Sequence, residues 1–99
     1  MVDLRTSSAT YLKGITIDLD HNKGVGLFIP TGIAHGFFAI EDAAILYFVD
    51  KYYSGQDEFG IMWDDPDIDL NWGVKNPTLS QRDQGNPRLR DIPDSDRPG

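Results

Sequence analysis

Two side chains in the apolar middle of this chain have the chemistry to move protons, His35 and Tyr47. An imidazole titrates near neutrality and can take or give a proton, contact an anion or hold a metal. A phenol has an unperturbed pKa of about 10, so it stays protonated at neutral pH and can donate once positioned. The two residues are twelve apart, six on either side of Glu41. A short loop around Ile40-Glu41-Asp42 would set them opposite each other on one face of an antiparallel hairpin. One bulge would undo that. A blander reading competes for each: a histidine buried for structural reasons, and a core tyrosine whose hydroxyl is satisfied. The second histidine, His21, lies in the turn Asp20-His21-Asn22-Lys23-Gly24 and reads by default as a solvated loop residue. With two histidines and no cysteine, three or four protein ligands to a metal are not expected, and no cofactor is implied.

The elements that must position these residues are strands. Gly26–Ile29 and Ala43–Val49 read as buried strands, with Ala34–Ile40 between them after the turn Pro30-Thr31-Gly32. Gly32 and Gly36 flank His35 and permit close backbone approach there. Before this, Val2–Arg5 alternates apolar and polar, and Leu12–Leu19 is rich in β-branched residues at period two. After it, Phe59, Ile61 and Trp63 repeat the period-two pattern until Asp64-Asp65-Pro66. Pro77–Asp83 reads as an extended lead into about one helical turn, with Ser80 as N-cap. From Gln84 the chain is Pro- and charge-rich without periodicity and is expected to be a loose tail. No long segment has a 3.6-residue apolar period. The expected fold is all-β, a sandwich or barrel of five or six strands, short of the eight or so of a closed jelly roll.

Composition narrows the function classes. The 99 residues make one domain, near the small end of what folds without help, and carry a net charge of −7. That charge argues against nucleic acid as the main partner. No apolar run reaches membrane-spanning length, and the first ten residues lack the apolar core of a signal peptide. With no cysteine, disulfides are excluded, which suits a cytoplasmic location.

Several segments together resemble one family. Phe28-Ile29-Pro30-Thr31-Gly32-Ile33-Ala34-His35-Gly36-Phe37 is similar to the IPxGfAHGF signature of dTDP-4-dehydrorhamnose 3,5-epimerases, members of the cupin superfamily. Val2-Asp3-Leu4-Arg5 with Ser7-Ser8-Ala9-Thr10 resembles their VDLRxxSPT segment, with Ala9 in place of proline. Tyr47 with Tyr52-Tyr53, Glu58 with Gly60-Ile61 and Trp63-Asp64-Asp65-Pro66, and Leu79-Ser80-Gln81-Arg82-Asp83 resemble three further segments, in the family's order. The resemblance covers Val2 to Asp83. It implies a cupin-like jelly roll, incomplete on its N-terminal side, over residues 1–83, with 84–99 as the tail.

It also implies roles. Tyr47 stands at the catalytic tyrosine and Asp83 at the aspartate that pairs with the catalytic histidine; His35, Glu58 and Arg82 stand at substrate-binding positions. Asp83 as a helix-end carboxylate, and Glu58 and Arg82 as solvated charges, are the competing readings. The family chain is longer, and its front half carries a Gly-Leu-His-x-Gln motif with the basic histidine, together with cations that hold the substrate. This sequence has none of these, and Phe48 stands where lysine is common. It therefore resembles the back half of such an enzyme. The implied substrate is a dTDP-sugar, with no nucleic-acid or membrane partner, and the implied assembly is a homodimer or association with the missing N-terminal half. Two alternatives stand beside the 3,5-epimerase. One is a non-catalytic half-domain that binds a sugar nucleotide or a partner chain; the other is a related 3-epimerase or sugar ketoisomerase.

Overall fold

The computed structural model describes residues 1–20, 22, 24–49 and 59–97. Its centre is β1 (Val2–Asp3), the alternating start of the chain. β1 pairs antiparallel with β2 (Ile33–Ala34), Val2 opposite Ala34 and Asp3 opposite Ile33. The other edge of β1 is used as well, because backbone groups of successive strand residues point to opposite edges. Val2 forms an antiparallel bridge with Gly14. The Asp3 amide donates to the Lys13 carbonyl at 3.1 Å, and the Leu12 amide to the Asp3 carbonyl at 2.8 Å. On the β2 side the Leu4 amide donates to the Gly32 carbonyl at 3.0 Å. Gly32 enters β2 with φ of 89°, a left-handed conformation that glycine adopts without a Cβ penalty.

The side chain of Asp3 holds the return from β1. It is 5% exposed and accepts from Arg5 Nε at 2.9 Å and Arg5 Nη2 at 3.0 Å, from Ser8 Oγ at 2.6 Å and from Thr10 Oγ1 at 2.5 Å. The Arg5 guanidinium, then the two hydroxyls, hold this carboxyl well below the usual carboxylate range. The reciprocal contact raises the Arg5 pKa.

The apolar core is small: Val2, Leu4 and Leu89, flanked by Leu12, Ala34, Ile61, Ile68, Leu70 and Ile92. Gly14 lets Leu70 in, since a Cβ there would lie 2.9 Å from Leu70 Cδ1. Leu89, within the stretch expected to be a loose tail, is buried in this core, with Ile92 packed against it. It is tied down by Asp65, 1% exposed, whose Oδ2 accepts from the Leu89 amide at 2.7 Å and whose Oδ1 accepts from the Asp67 amide at 2.9 Å. The Met62 amide donates to the Pro87 carbonyl at 2.8 Å, and Arg90 pairs with Asp67 through bonds of 3.0 and 2.8 Å. Arg97 reaches the Leu89 and Ile92 carbonyls at 2.7 and 2.8 Å. Two 3-10 turns, Leu89–Asp91 and Asp94–Asp96, complete this region.

The remaining expected strands differ. Among the described residues, 26–29 and 43–49 form no ladder, and of Leu12–Leu19 only Gly14 bridges. Most of their apolar side chains are exposed, including Phe28, Leu46 and Phe48. A strand is stabilised by its partner and by cover on its apolar face. Among the described residues, 26–29 and 43–49 have neither. The structure is thus mostly non-helical with a small antiparallel sheet; the longest helix among the described residues, α1 (Gln81–Gln84), has four residues. No described helix is long and apolar enough to cross a membrane.

Candidate functional site

Arg82 and Asp83 are side by side on α1. The helix forms there because Ser80, at φ −65° and ψ 159°, caps it: Ser80 Oγ accepts from the Asp83 amide at 3.1 Å. The Gln84 amide donates to the Ser80 carbonyl at 3.1 Å, and Gly85 closes the turn onto the Arg82 carbonyl at 3.1 Å. The Arg82 guanidinium contacts Asp83 Oδ1 at 3.3 Å. Asn86 Nδ2 donates to the same oxygen at 3.4 Å. Asn86 is in turn packed on Gly60, where an added Cβ would lie 2.5 Å from Asn86 Oδ1. The Gly60-Ile61 segment and the Arg82-Asp83 segment are therefore joined through Asn86.

His35 follows β2 directly and is exposed. Its neighbour Gly36 lies against Trp72, 3.3 Å from where a Cβ would sit to Trp72 Cη2. The Trp72 indole N–H donates to the Trp63 carbonyl at 2.8 Å, so the backbone beside His35 rests on the 63–72 segment. Tyr47 is 77% exposed in a segment without a ladder. The expected hairpin that sets it opposite His35 is not formed among the described residues. Glu58, with Tyr52, Tyr53 and His21, lies outside them.

Open clefts are present among the described residues. One, of about 420 Å³, is lined by Trp63, Asp65, Leu70 and Trp72, among others. The second, of about 250 Å³, is lined by Phe59, Gly60, Asn86 and Ile92, among others. None of His35, Tyr47, Arg82 and Asp83 lines either cleft. Among the described residues no group of three His, Cys, Asp or Glu side chains is placed to hold a metal ion.

Sequence reasoning missed Asn86 as the partner of Asp83, since nothing in periodicity or turn chemistry marks it. It read Asp65 as the end of an apolar run and as part of a family segment, without its bond to the Leu89 amide. The Asp-Pro pair was the available signal, because aspartate before a turn bonds the backbone two residues on, as Asp65 does to the Asp67 amide.

The comparisons bear on the whole constellation. The family model for dTDP-4-dehydrorhamnose 3,5-epimerase matches residues 1–91. The epimerase of that name from Shigella flexneri is 41% identical over 83 residues, 83% of this chain and 46% of its own. Those from Sinorhizobium fredii and Methanothermobacter thermautotrophicus are each 38% identical, over 94 and 96 residues; each match covers 93% of this chain, and 48% and 52% of theirs. No solved structure matches. The chain spans about half the length of the curated relatives it matches. On the extent of these matches, the chain belongs to the dTDP-4-dehydrorhamnose 3,5-epimerase family.

Proposed function

We propose that this chain is the part of a sugar-nucleotide epimerase that supplies the proton donor and part of the substrate cradle, in a reaction inverting C3 and C5 of dTDP-4-keto-6-deoxyglucose. The family match over residues 1–91 carries this reading. Each inverted centre lies α to the ketone, so its proton can be removed to an enolate and returned on the opposite face. That chemistry needs a base, an acid and a stabiliser for the enolate oxygen. Tyr47 is the acid. Asp83 orients the catalytic histidine and supports its charged form. Arg82 meets the pyrophosphate with a planar, permanently charged fork. His35 and Glu58 contact the sugar nucleotide.

The base is a histidine outside these 99 residues. His35 is assigned to the substrate, and Tyr47 is on the donor side. The complete enzyme adopts a cupin-like jelly roll, works in the cytoplasm without a cofactor, and assembles as a homodimer or with the N-terminal half.

The test is solvent deuterium incorporation at C3 and C5 of the keto sugar nucleotide. It is run on the isolated chain and on a chimera in which these residues replace the matching part of the Shigella flexneri relative. The isolated chain should exchange little or nothing. The chimera should exchange both positions, and Tyr47→Phe should slow it by roughly 10²–10⁴-fold, the usual contribution of general acid–base catalysis. Rapid exchange by the isolated chain, abolished in Tyr47→Phe, would show that the base is assigned wrongly. A folded but inactive chimera would remove the reading altogether.

A further inference from the structure

The larger cleft, of about 420 Å³, is lined by none of the residues given a role in the epimerisation. Its volume falls within the range of small-molecule sites, about 300–1,000 Å³. The chain has two tryptophans, and both, Trp63 and Trp72, line this cleft. Each is half-buried, so neither is spent wholly on the core. Trp72 is fixed at two points. Its indole N–H donates to the Trp63 carbonyl at 2.8 Å, and its ring edge lies against Gly36, where a Cβ would be 3.3 Å from Cη2. The turn between the tryptophans is fixed as well: the Asp65 amide donates to the Met62 carbonyl at 3.2 Å, and the Asp69 amide to the Asp65 carbonyl at 2.9 Å. Asp69 takes a φ of 52° there, a left-handed conformation that aspartate tolerates better than most residues. Asp65 lines the cleft too, but its oxygens serve the Asp67 and Leu89 amides, so it holds the wall.

The remaining polar groups of the lining are of both kinds. Asp64 and Asp69 are exposed acceptors and Lys75 is an exposed donor. Asn71 Oδ1 accepts from the Gly73 amide at 2.9 Å, which leaves the Asn71 Nδ2 group to donate elsewhere. We propose that this cleft binds a neutral saccharide, with a pyranose ring against the indoles and its hydroxyls shared among Asp64, Asp69, Asn71 and Lys75. A hydroxyl both donates and accepts, so neighbouring hydroxyls on one ring use carboxylates and N–H groups together. The indoles supply large, rigid apolar area for the C–H face of the sugar. Other ligand classes fit less well. An anion would meet three carboxylates against one ammonium. An organic cation would be drawn to the indoles and carboxylates, but it would face the Lys75 ammonium and leave the Asn71 donor unmet.

The test titrates methyl α-D-glucopyranoside into the 99-residue chain and follows the indole N–H resonances by NMR. Both tryptophans line the cleft, so every indole signal reports on it. Saturable shifts of both are expected, with a Kd on the order of millimolar, the scale for a ligand of this size. Asp69→Gly removes the carboxylate and keeps the left-handed backbone. It should weaken binding by about tenfold or more, as loss of a hydrogen bond to a charged group does, and Lys75→Ala should weaken it in the same direction. Arg90→Ala, whose guanidinium pairs with Asp67 away from the lining, should leave the Kd unchanged. Both Asp69 and Lys75 are exposed, so the test does not require truncating a tryptophan that the fold uses. Glucose 6-phosphate and choline are the anionic and cationic arms; each should bind at least about tenfold more weakly than the glucoside. Shifts that do not saturate, saturation by either charged probe at the same or lower concentration, or a Kd untouched by both Asp69→Gly and Lys75→Ala would each overturn the inference. None of these readouts depends on catalysis, so the saccharide cleft and the epimerase activity stand or fall separately.

Discussion

Asp3 is buried beside a guanidinium and two hydroxyls, and that cluster sets a pH dependence. Its carboxyl is held well below the usual range, chiefly by Arg5, so the unfolded chain binds the proton more readily than the folded one. The stability it contributes is fully present above the unfolded pKa of about 3.9 and is lost as pH falls through that value toward the folded one. Urea titration followed by tryptophan fluorescence should show the midpoint dropping below about pH 4. In Asp3→Asn the midpoint should be lower at pH 7 and the acid limb flatter; an unchanged acid limb would show that other carboxylates govern it. Asp65 makes a different prediction. Its two oxygens satisfy the amides of Asp67 and Leu89, so Asp65→Ala should cost about 1–3 kcal/mol, the penalty for leaving buried donors unmet. The measurement is faster exchange of the Leu89 amide. Asp65→Asn keeps an acceptor and should lose less.

At the scale of elements, α1 is one turn long, and its geometry depends on its cap and on Asn86. Ser80→Ala removes the acceptor of the Asp83 amide and should cost about 0.5–2 kcal/mol of local stability, read as loss of Asp83 amide protection by NMR. Gly60→Ala drives a Cβ into Asn86; it should displace Asn86 from Asp83 and shift the side-chain amide resonances of Asn86. Retained Asn86 shifts in Gly60→Ala would show that the pair does not depend on this close approach. Both changes act on the Arg82–Asp83 end of the site and leave β1 and β2 untouched, so circular dichroism should be unaltered by either.

For the whole molecule, the deciding quantity is exposed apolar surface. Among the described residues, three buried apolar residues form the core, while fifteen large apolar residues are exposed. Open strand edges and apolar faces of this kind promote association. The chain on its own is expected to self-associate or to melt without cooperativity. Light scattering that reports a monodisperse monomer, with a cooperative thermal transition, would contradict this. The circular dichroism spectrum should show little helix, because α1 and the 3-10 turns are the helical content among the described residues.

The sequence by itself determined the local and the covalently close features. Alternation at Val2–Arg5 marked β1, Pro30-Thr31-Gly32 marked the turn before β2, Ser80 marked the cap of α1, and the linked motifs marked the family. Each depends on a few neighbouring residues, whose propensities and hydrogen bonds act within one turn. Only the tertiary structure decided the rest. It put Asp3 under Arg5, Ser8 and Thr10, carried Leu89 into the core through Asp65, and set Asn86 between Gly60 and Asp83. Asp65 and Leu89 meet across 24 positions of chain, a contact no periodicity encodes. Among the described residues, the tertiary structure also left 26–29 and 43–49 unpaired despite strand-like composition. β-propensity expresses how well a side chain fits a covered, pleated surface, and that surface is made by a neighbouring strand rather than by the segment itself.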